Sequence, residues 1–290
     1  MSDLKRISAL STRPSWLKVG LPSGEGYRKI KSIVDSHQVH TVCQEARCPN
    51  IGECWACGTG TFMILGDTCT RACRFCAVKS GKPEFLDTDE PKRVAKSAKL
   101  MNLKHVVITS VNRDELPDGG AEIWAETIRE IRLALPEASI EVLIPDFEGN
   151  SSAMKTVMQE MPDILNHNIE TVPRLYPAIR KEAQFERSLE VLSFAKKEFN
   201  LKTKSGLMVG LGESNDEIFK VLEDLKQTRC DIVTIGQYLQ PTPKHAKVER
   251  FVTPEEFETF KNYGLKLGFL HVESAPLVRS SYHAEAHASI

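Results

Sequence analysis

After Cys76 the chain has one further cysteine, Cys230, and that shortage limits what its earlier thiols can be. Other features are scarce as well. No apolar run approaches the length of a membrane-crossing helix, so no helical span is expected. The first ten residues, MSDLKRISAL, have neither the apolar core of a signal peptide nor an Arg-rich presequence character, which points to a cytoplasmic protein. Neither sign of charge is in excess. Lys and Arg number 38 against 39 Asp and Glu, a net charge of −1, so neither a nucleic-acid partner nor a charged membrane surface is expected. No repeat and no low-complexity tract is visible. The remaining composition, 41% hydrophobic and 27% charged over 290 residues, is that of an ordinary globular chain with room for one large α/β domain or two small ones.

Against that background the eight cysteines stand out, because seven lie between Cys43 and Cys76. In a long chain without a secretory signal, such clustering argues for metal or catalysis rather than disulfides. The sharpest pattern is Cys69-Thr-Arg-Ala-Cys73-Arg-Phe-Cys76, directly after the apolar run Thr61–Leu65. A loop leaving a strand end can turn three thiolates toward one centre, and soft thiolates at such spacing suit an iron–sulfur cluster or zinc. A structural zinc closes with a fourth nearby Cys or His, and none follows here. Three ligands leave one iron open.

This loop resembles the signature of the radical S-adenosylmethionine (SAM) enzymes, including the aromatic Phe75 before the last cysteine. The resemblance implies that Cys69, Cys73 and Cys76 hold a [4Fe-4S] cluster whose open iron binds SAM, and that one electron cleaves SAM to a 5′-deoxyadenosyl radical. A second triad, Cys43-x4-Cys48-x5-Cys54, is broken by Pro49 and Gly52 and can also converge from a loop. The stretch Cys48-Pro-Asn-Ile-Gly-Glu-Cys54-Trp, with Gly66-Asp-Thr-Cys69-Thr-Arg71, resembles the lipoyl synthase family. So do Pro14-Ser-Trp-Leu-Lys18, Thr109-Ser-Val-Asn-Arg-Asp-Glu-Leu-Pro-Asp-Gly-Gly-Ala121 and Val278-Arg-Ser-Ser-Tyr-His-Ala284, which together span nearly the whole chain.

The periodicity carries the fold class. Six β-branched runs, Thr61–Leu65, His105–Ser110, Ile140–Ile144, Asp163–Asn166, Lys204–Val209 and Asp231–Ile235, read as strands. Helical patterns cover Gly26–Gln38, Pro91–Leu100, Ile123–Leu135, Ser151–Met161, Glu186–Phe199 and Ser214–Lys226, and a further helix starts at Thr253. Ser214-x-x-Glu217 reads as a capping box, and Thr253-Pro-Glu-Glu256 repeats it with Pro254 at the first helical position. Strand–helix alternation implies parallel strands with right-handed crossovers. The resemblance turns this into an α/β fold with a partial (β/α)6 radical SAM barrel. Residues 1–58 are expected to be an N-terminal extension carrying the auxiliary cluster loop, 59–268 the barrel, and 269–290 a C-terminal segment closing over its mouth.

Barrel enzymes build their sites on loops at the strands' C-terminal ends. Ser110, Asn168, Glu170 and Gly210 occupy such ends and are the candidates for contacts to SAM. Each also has an ordinary reading, as loop polarity, a cap or a turn. The fourth ligand of the second triad is open on the residues alone. Cys57 makes a C-x2-C with Cys54 and is the better ligand, whereas the resemblance implies Ser281, with Ser280 as the alternative. An oxygen on a soft-ligated iron is the more labile choice. Cys230 reads as a buried cysteine, and the histidines show no ligand spacing.

The activity the resemblance implies is radical insertion of sulfur at C6 and C8 of an octanoyl group on a lysine of a carrier domain. It brings two [4Fe-4S] clusters and SAM as cofactors. The expected partners are the octanoylated domains of 2-oxoacid dehydrogenases and the glycine-cleavage H protein, an electron donor and a protein that rebuilds the auxiliary cluster. Sulfur insertion into another substrate and a non-catalytic metal-binding module are the rival readings.

Overall fold

The computed structural model describes residues 13–19, 24–46, 48–56 and 60–288. The N-terminal part contributes α1 (Glu25–His37), β1 (His40–Thr41), α2 (Val42–Glu45) and α3 (Ile51–Ala56). Next come β2 (Thr61–Ile64) and the short pair β3 (Thr68–Cys69) and β4 (Lys79–Ser80). Alternation then sets in: α4 (Glu90–Met101), β5 (His105–Ser110), α5 (Ala121–Ala134), β6 (Ser139–Leu143), α6 (Ser151–Met158) and β7 (Ile164–Asn166). It continues through α7 (Tyr176–Ile179), α8 (Phe185–Phe199), β8 (Thr203–Val209), α9 (Asn215–Gln227), β9 (Ile232–Gln237), α10 (Pro254–Leu267), β10 (His271–Ser274) and α11 (Ala284–Ala288).

The main sheet has the order β1-β2-β5-β6-β7-β8-β9-β10, parallel throughout except where β1 pairs antiparallel with β2. The six expected strands are present, each beside its neighbour in sequence, as short right-handed crossovers require. Two further strands extend the sheet. Residues His40–Thr41 are too short to give a periodic signal, and His271-Val-Glu-Ser274 alternates in burial but has Val272 as its one apolar residue, so it lacks the apolar run of a buried strand. The two edges, β1 and β10, do not pair, so the barrel is open on one side.

Helices pack outside through stripes the sequence pattern anticipated. In α5 Trp124, Ile128 and Ile131 are buried, and Leu135 sits only partly covered at the C-cap. Both capping boxes form: Ser214 accepts from the Glu217 amide and Thr253 from the Glu256 amide, with each glutamate returning the bond. α6 stops at Met158, short of the expected Met161, which takes a left-handed φ of 48°. The N-terminal extension has no core of its own. Ile30, Val34, Val39, Cys43 and Trp55 belong to the same buried cluster as Phe62, Val94 and Ile108 of the barrel, and Tyr27 stacks on Trp55 at 5.2 Å.

Candidate active site

β2 ends on Leu65 with a φ of 69° and Gly66 with a φ of 88°, a reversal that sends the chain into the Cys69 loop. A leucine resists that conformation, and two partners impose it through three bonds. The buried carboxylate of Glu90 accepts from the Leu65 amide at 2.6 Å and the Gly66 amide at 3.3 Å, while Arg113 donates to the Leu65 carbonyl at 3.1 Å.

The loop itself is fastened on all sides. Cys69 lies on β3, and Gly81 donates to its carbonyl at 2.9 Å. The Asn112 backbone amide points at the Cys69 sulfur from 3.3 Å. Arg71 is buried and forks between two carboxylates, reaching Asp114 with two bonds of 2.8 Å and Asp146 with one of 2.7 Å. His245 bonds the Cys76 carbonyl at 2.9 Å, which gives a role to a histidine that sequence spacing left without one.

A cavity of about 590 Å³ opens above the strand ends. Its wall includes Cys69, Cys73 and Cys76 from the first triad and Cys43 and Cys48 from the second. Ser110, Asn168, Glu170, Ser280 and Ser281 line it too. Cys54 lies just outside this wall on α3, whose Asn50 cap region is tied to the Leu277 carbonyl at 2.7 Å. Gly210 is not part of the wall. The close approach expected of a ligand there is made by the chain: an added Cβ would stand 2.1 Å from the Gln237 side-chain nitrogen and 2.6 Å from the Arg250 carbonyl. Cys57 lies outside the described residues.

The electrostatics suit a bound, charged group. Burial pushes the thiols of Cys43 and Cys76 up to about 11 and those of Cys54 and Cys73 up to about 12, and it raises Cys48 as well. Bare, these thiols keep their protons at neutral pH, and a bound metal would be needed to make them thiolates. Burial also raises Glu170, against the pull of Arg180 and the Asn168 hydrogen bond. Burial and the Arg180 charge hold His167 down at about 4, so its ring is neutral. Four buried polar atoms on this wall, Ser110 Oγ, Asn166 Oδ1, His167 Nε2 and Asn168 Oδ1, have no partner among the described residues. Buried polar atoms are nearly always satisfied, so such a row fits a polar ligand. The thiols and this polar row therefore fit an iron–sulfur cluster and SAM.

The two serines differ. Ser280 accepts from Asn168 Nδ2 at 2.7 Å, whereas Ser281 makes no side-chain hydrogen bond among the described residues. Sequence reasoning missed Arg71, Asp114, Asp146, Arg180 and Asn112. Their signal was weak because each acts through residues distant in the chain. Arg71 alone carried a cue, its place between Cys69 and Cys73.

No described helix is long and apolar enough to cross a membrane. Comparison with known proteins accords with the site. Residues 63–225 match the radical SAM superfamily, and residues 3–48 match the N-terminal domain of lipoyl synthase of that family. Lipoyl synthase of Rubrobacter xylanophilus is 59% identical over 94% of this chain and 85% of its own. That of Chlorobaculum tepidum is 54% identical over 94% and 95%, and the mitochondrial lipoyl synthase of Nematostella vectensis 52% over 95% and 94%. Among solved structures, Streptococcus suis SuiB bound to S-adenosylmethionine superposes with a TM-score of 0.59 at 12% identity, covering 74% of this chain and 50% of that one. The hydrogenase maturase HydG from Carboxydothermus hydrogenoformans gives 0.58 at 14%, covering 79% and 64%. These two share the fold alone. With relatives this similar along almost its whole length, the chain belongs to the lipoyl synthase family of radical SAM enzymes.

Proposed function

We propose that this chain inserts two sulfur atoms, at C6 and C8, into an octanoyl group carried on a lysine of a lipoyl carrier domain. The observation that carries the reading is one cavity walled by five thiols drawn from both cysteine triads, with unpartnered polar atoms on the same wall. When bound, the cluster and SAM supply the radical that takes hydrogen from an unactivated C–H bond, chemistry beyond any acid or base side chain. The auxiliary cluster is a substrate, the source of the sulfide.

Cys69, Cys73 and Cys76 hold the SAM cluster, and Cys43, Cys48, Cys54 and Ser281 hold the auxiliary one. The Asn112 amide donates to the Cys69 sulfur and fixes its direction in the loop. Arg71 fixes the loop against Asp114 and Asp146, so the cluster keeps one orientation to the cavity. Ser110, Asn168 and Glu170 bind the polar parts of SAM, and the neutral His167 presents Nε2 beside them. Gly210 acts from behind the wall, turning the chain so that Glu213 can accept from the Gly210 and Leu211 amides. Val42, Met63, Val107 and Leu143 give the cavity an apolar flank for the alkyl chain and keep water from the radical.

The partners in this reading are the octanoylated domains of 2-oxoacid dehydrogenases and the glycine-cleavage H protein, an electron donor and a cluster-repair protein. The test uses two triple variants. Replacing Cys69, Cys73 and Cys76 by Ala is expected to abolish 5′-deoxyadenosine formation. Replacing Cys43, Cys48 and Cys54 is expected to preserve SAM cleavage and stop carbon–sulfur bond formation. Thiolated octanoyl peptide from the second variant would defeat the assignment.

A further inference from the structure

The chain after β10 does not stay outside the barrel. β8 and β9 carry glycine where strand residues face the lumen, and the C-terminal segment fills the space. A Cβ on Gly236 would lie 2.1 Å from the Val278 carbonyl oxygen, and one on Gly206 would meet Thr234 Oγ1 at 2.6 Å and Asn168 Oδ1 at 2.9 Å, with Ser280 Oγ next at 3.1 Å. From above, the segment is held by the Gln237 amide on the Pro276 carbonyl at 3.2 Å, by Asn50 on Leu277 and by Asn168 on Ser280.

Below, it meets a buried polar floor. Lys204, with no solvent exposure, lies 3.0 Å from both oxygens of Glu141, which is equally buried. Asn166 donates to Glu141 at 2.8 Å, and His105 stands 3.7 Å from it. The third bond of the Lys204 ammonium, 3.1 Å, goes to Nδ1 of His287 on α11. His287 and Ala284, one turn apart, are the buried face of that helix, and the His287 ring lies 4.8 Å from the ring of His271. His271, Glu273 and His287 bring ligand atoms within 4.8 Å of one another. A cation is nonetheless disfavoured there. Lys204 takes the lone pair of Nδ1, so the neutral ring carries its proton on Nε2 and has no second lone pair to offer. The cluster's chemistry is that of an anchor.

We propose that the Lys204–Glu141 pair is a positioning device for the auxiliary centre: by gripping His287 it sets how deep the tail descends, and so holds Ser281 at the triad of Cys43, Cys48 and Cys54. Six residues separate Ser281 from His287, at most about 20 Å of chain, so slack at the floor is slack at the mouth. The proposal rests on the reading of Ser281 as the fourth ligand.

The test reconstitutes four full-length proteins with iron and sulfide: the parent, His287→Leu, His287→Asn and Ser281→Ala. His287→Leu leaves the Lys204–Glu141 pair whole and so does not strand a buried charge. Two measurements are made without SAM, deuterium exchange of amides 282–288 and the rate at which a chelator removes iron. His287→Leu is expected to exchange its tail amides about tenfold faster and to lose iron from the auxiliary site faster than the parent, as Ser281→Ala does. His287→Asn, which keeps an acceptor for Lys204, is expected to restore both. Parent-like tail exchange and iron loss in His287→Leu would overturn the proposal. Parent-like iron retention in Ser281→Ala would instead remove the ligand reading, and the proposal with it.

Discussion

Replacing Arg71 by Ala isolates what the loop scaffold contributes apart from any cluster. Its guanidinium is 4% exposed, and it makes two bonds to Asp114 and one to Asp146. Removing one partner of a buried ion pair costs about 3–5 kcal/mol. The lower end applies, because Asp146 keeps Arg187 at 3.2 Å and Asp114, 25% exposed, can rehydrate. The acid side gives an independent figure. Burial pushes the Asp146 carboxyl up, but the Arg71 hydrogen bond and charge outweigh it and hold the group at about 2 instead of 3.8. That difference corresponds to about 2 kcal/mol. The sign follows from a depressed carboxylate: the stabilisation is fully present above pH 4 and is lost as pH falls through 2. Arg71→Ala is therefore expected to destabilise the metal-free chain by about 3 kcal/mol at pH 7, with roughly half of the Asp146 contribution gone by pH 3. Arg71→Lys, a point charge that cannot fork, should fall between the two. Urea unfolding followed by tryptophan fluorescence at pH 7 and pH 3 measures both. A loss below about 0.5 kcal/mol at pH 7, or one that grows toward pH 3, would refute the reasoning.

Three further outcomes are expected. Gly236→Ala places a methyl 2.1 Å from the Val278 carbonyl, so the tail should leave the barrel and become sensitive to limited proteolysis beyond residue 275; a tail as resistant as the parent's would count against threading. Glu90→Ala strands the Leu65 and Gly66 amides and should cost about 2–4 kcal/mol, read as a lowered Tm of the metal-free chain. Cys57→Ala should keep full iron content and activity, Ser281→Ala should lose sulfur insertion, and Ser281→Cys should retain iron but release sulfide poorly; iron loss in Cys57→Ala beside an active Ser281→Ala would reverse the ligand choice.

The parallel α/β alternation was legible because its signals are local: a period of two or an apolar run for strands, 3.6 for helices, and capping boxes at α9 and α10. The cysteine spacings were legible for the same reason, since three thiols within eight residues must share a loop. Four strands escaped: the short pair β3 and β4, and two in the main sheet. β1 is two residues long, and β10 alternates because His271 and Glu273 face a polar lumen that no local pattern reports.

By itself, then, the sequence determined the elements, their order and the residue types able to hold iron, all properties of short stretches. Only the tertiary structure decided which distant residues meet: Arg71 with Asp114 and Asp146, Lys204 with Glu141 and His287, and Cys43 and Cys48 with Cys69, Cys73 and Cys76 on one cavity. It also gave Ser280 to Asn168 while leaving the Ser281 hydroxyl open, and it filled the space beside Gly210 with Gln237 and Arg250. The physical reason is that a buried charge or a lumen-facing glycine draws its meaning from partners tens to hundreds of residues away, which chain closure brings together and which sequence spacing does not encode.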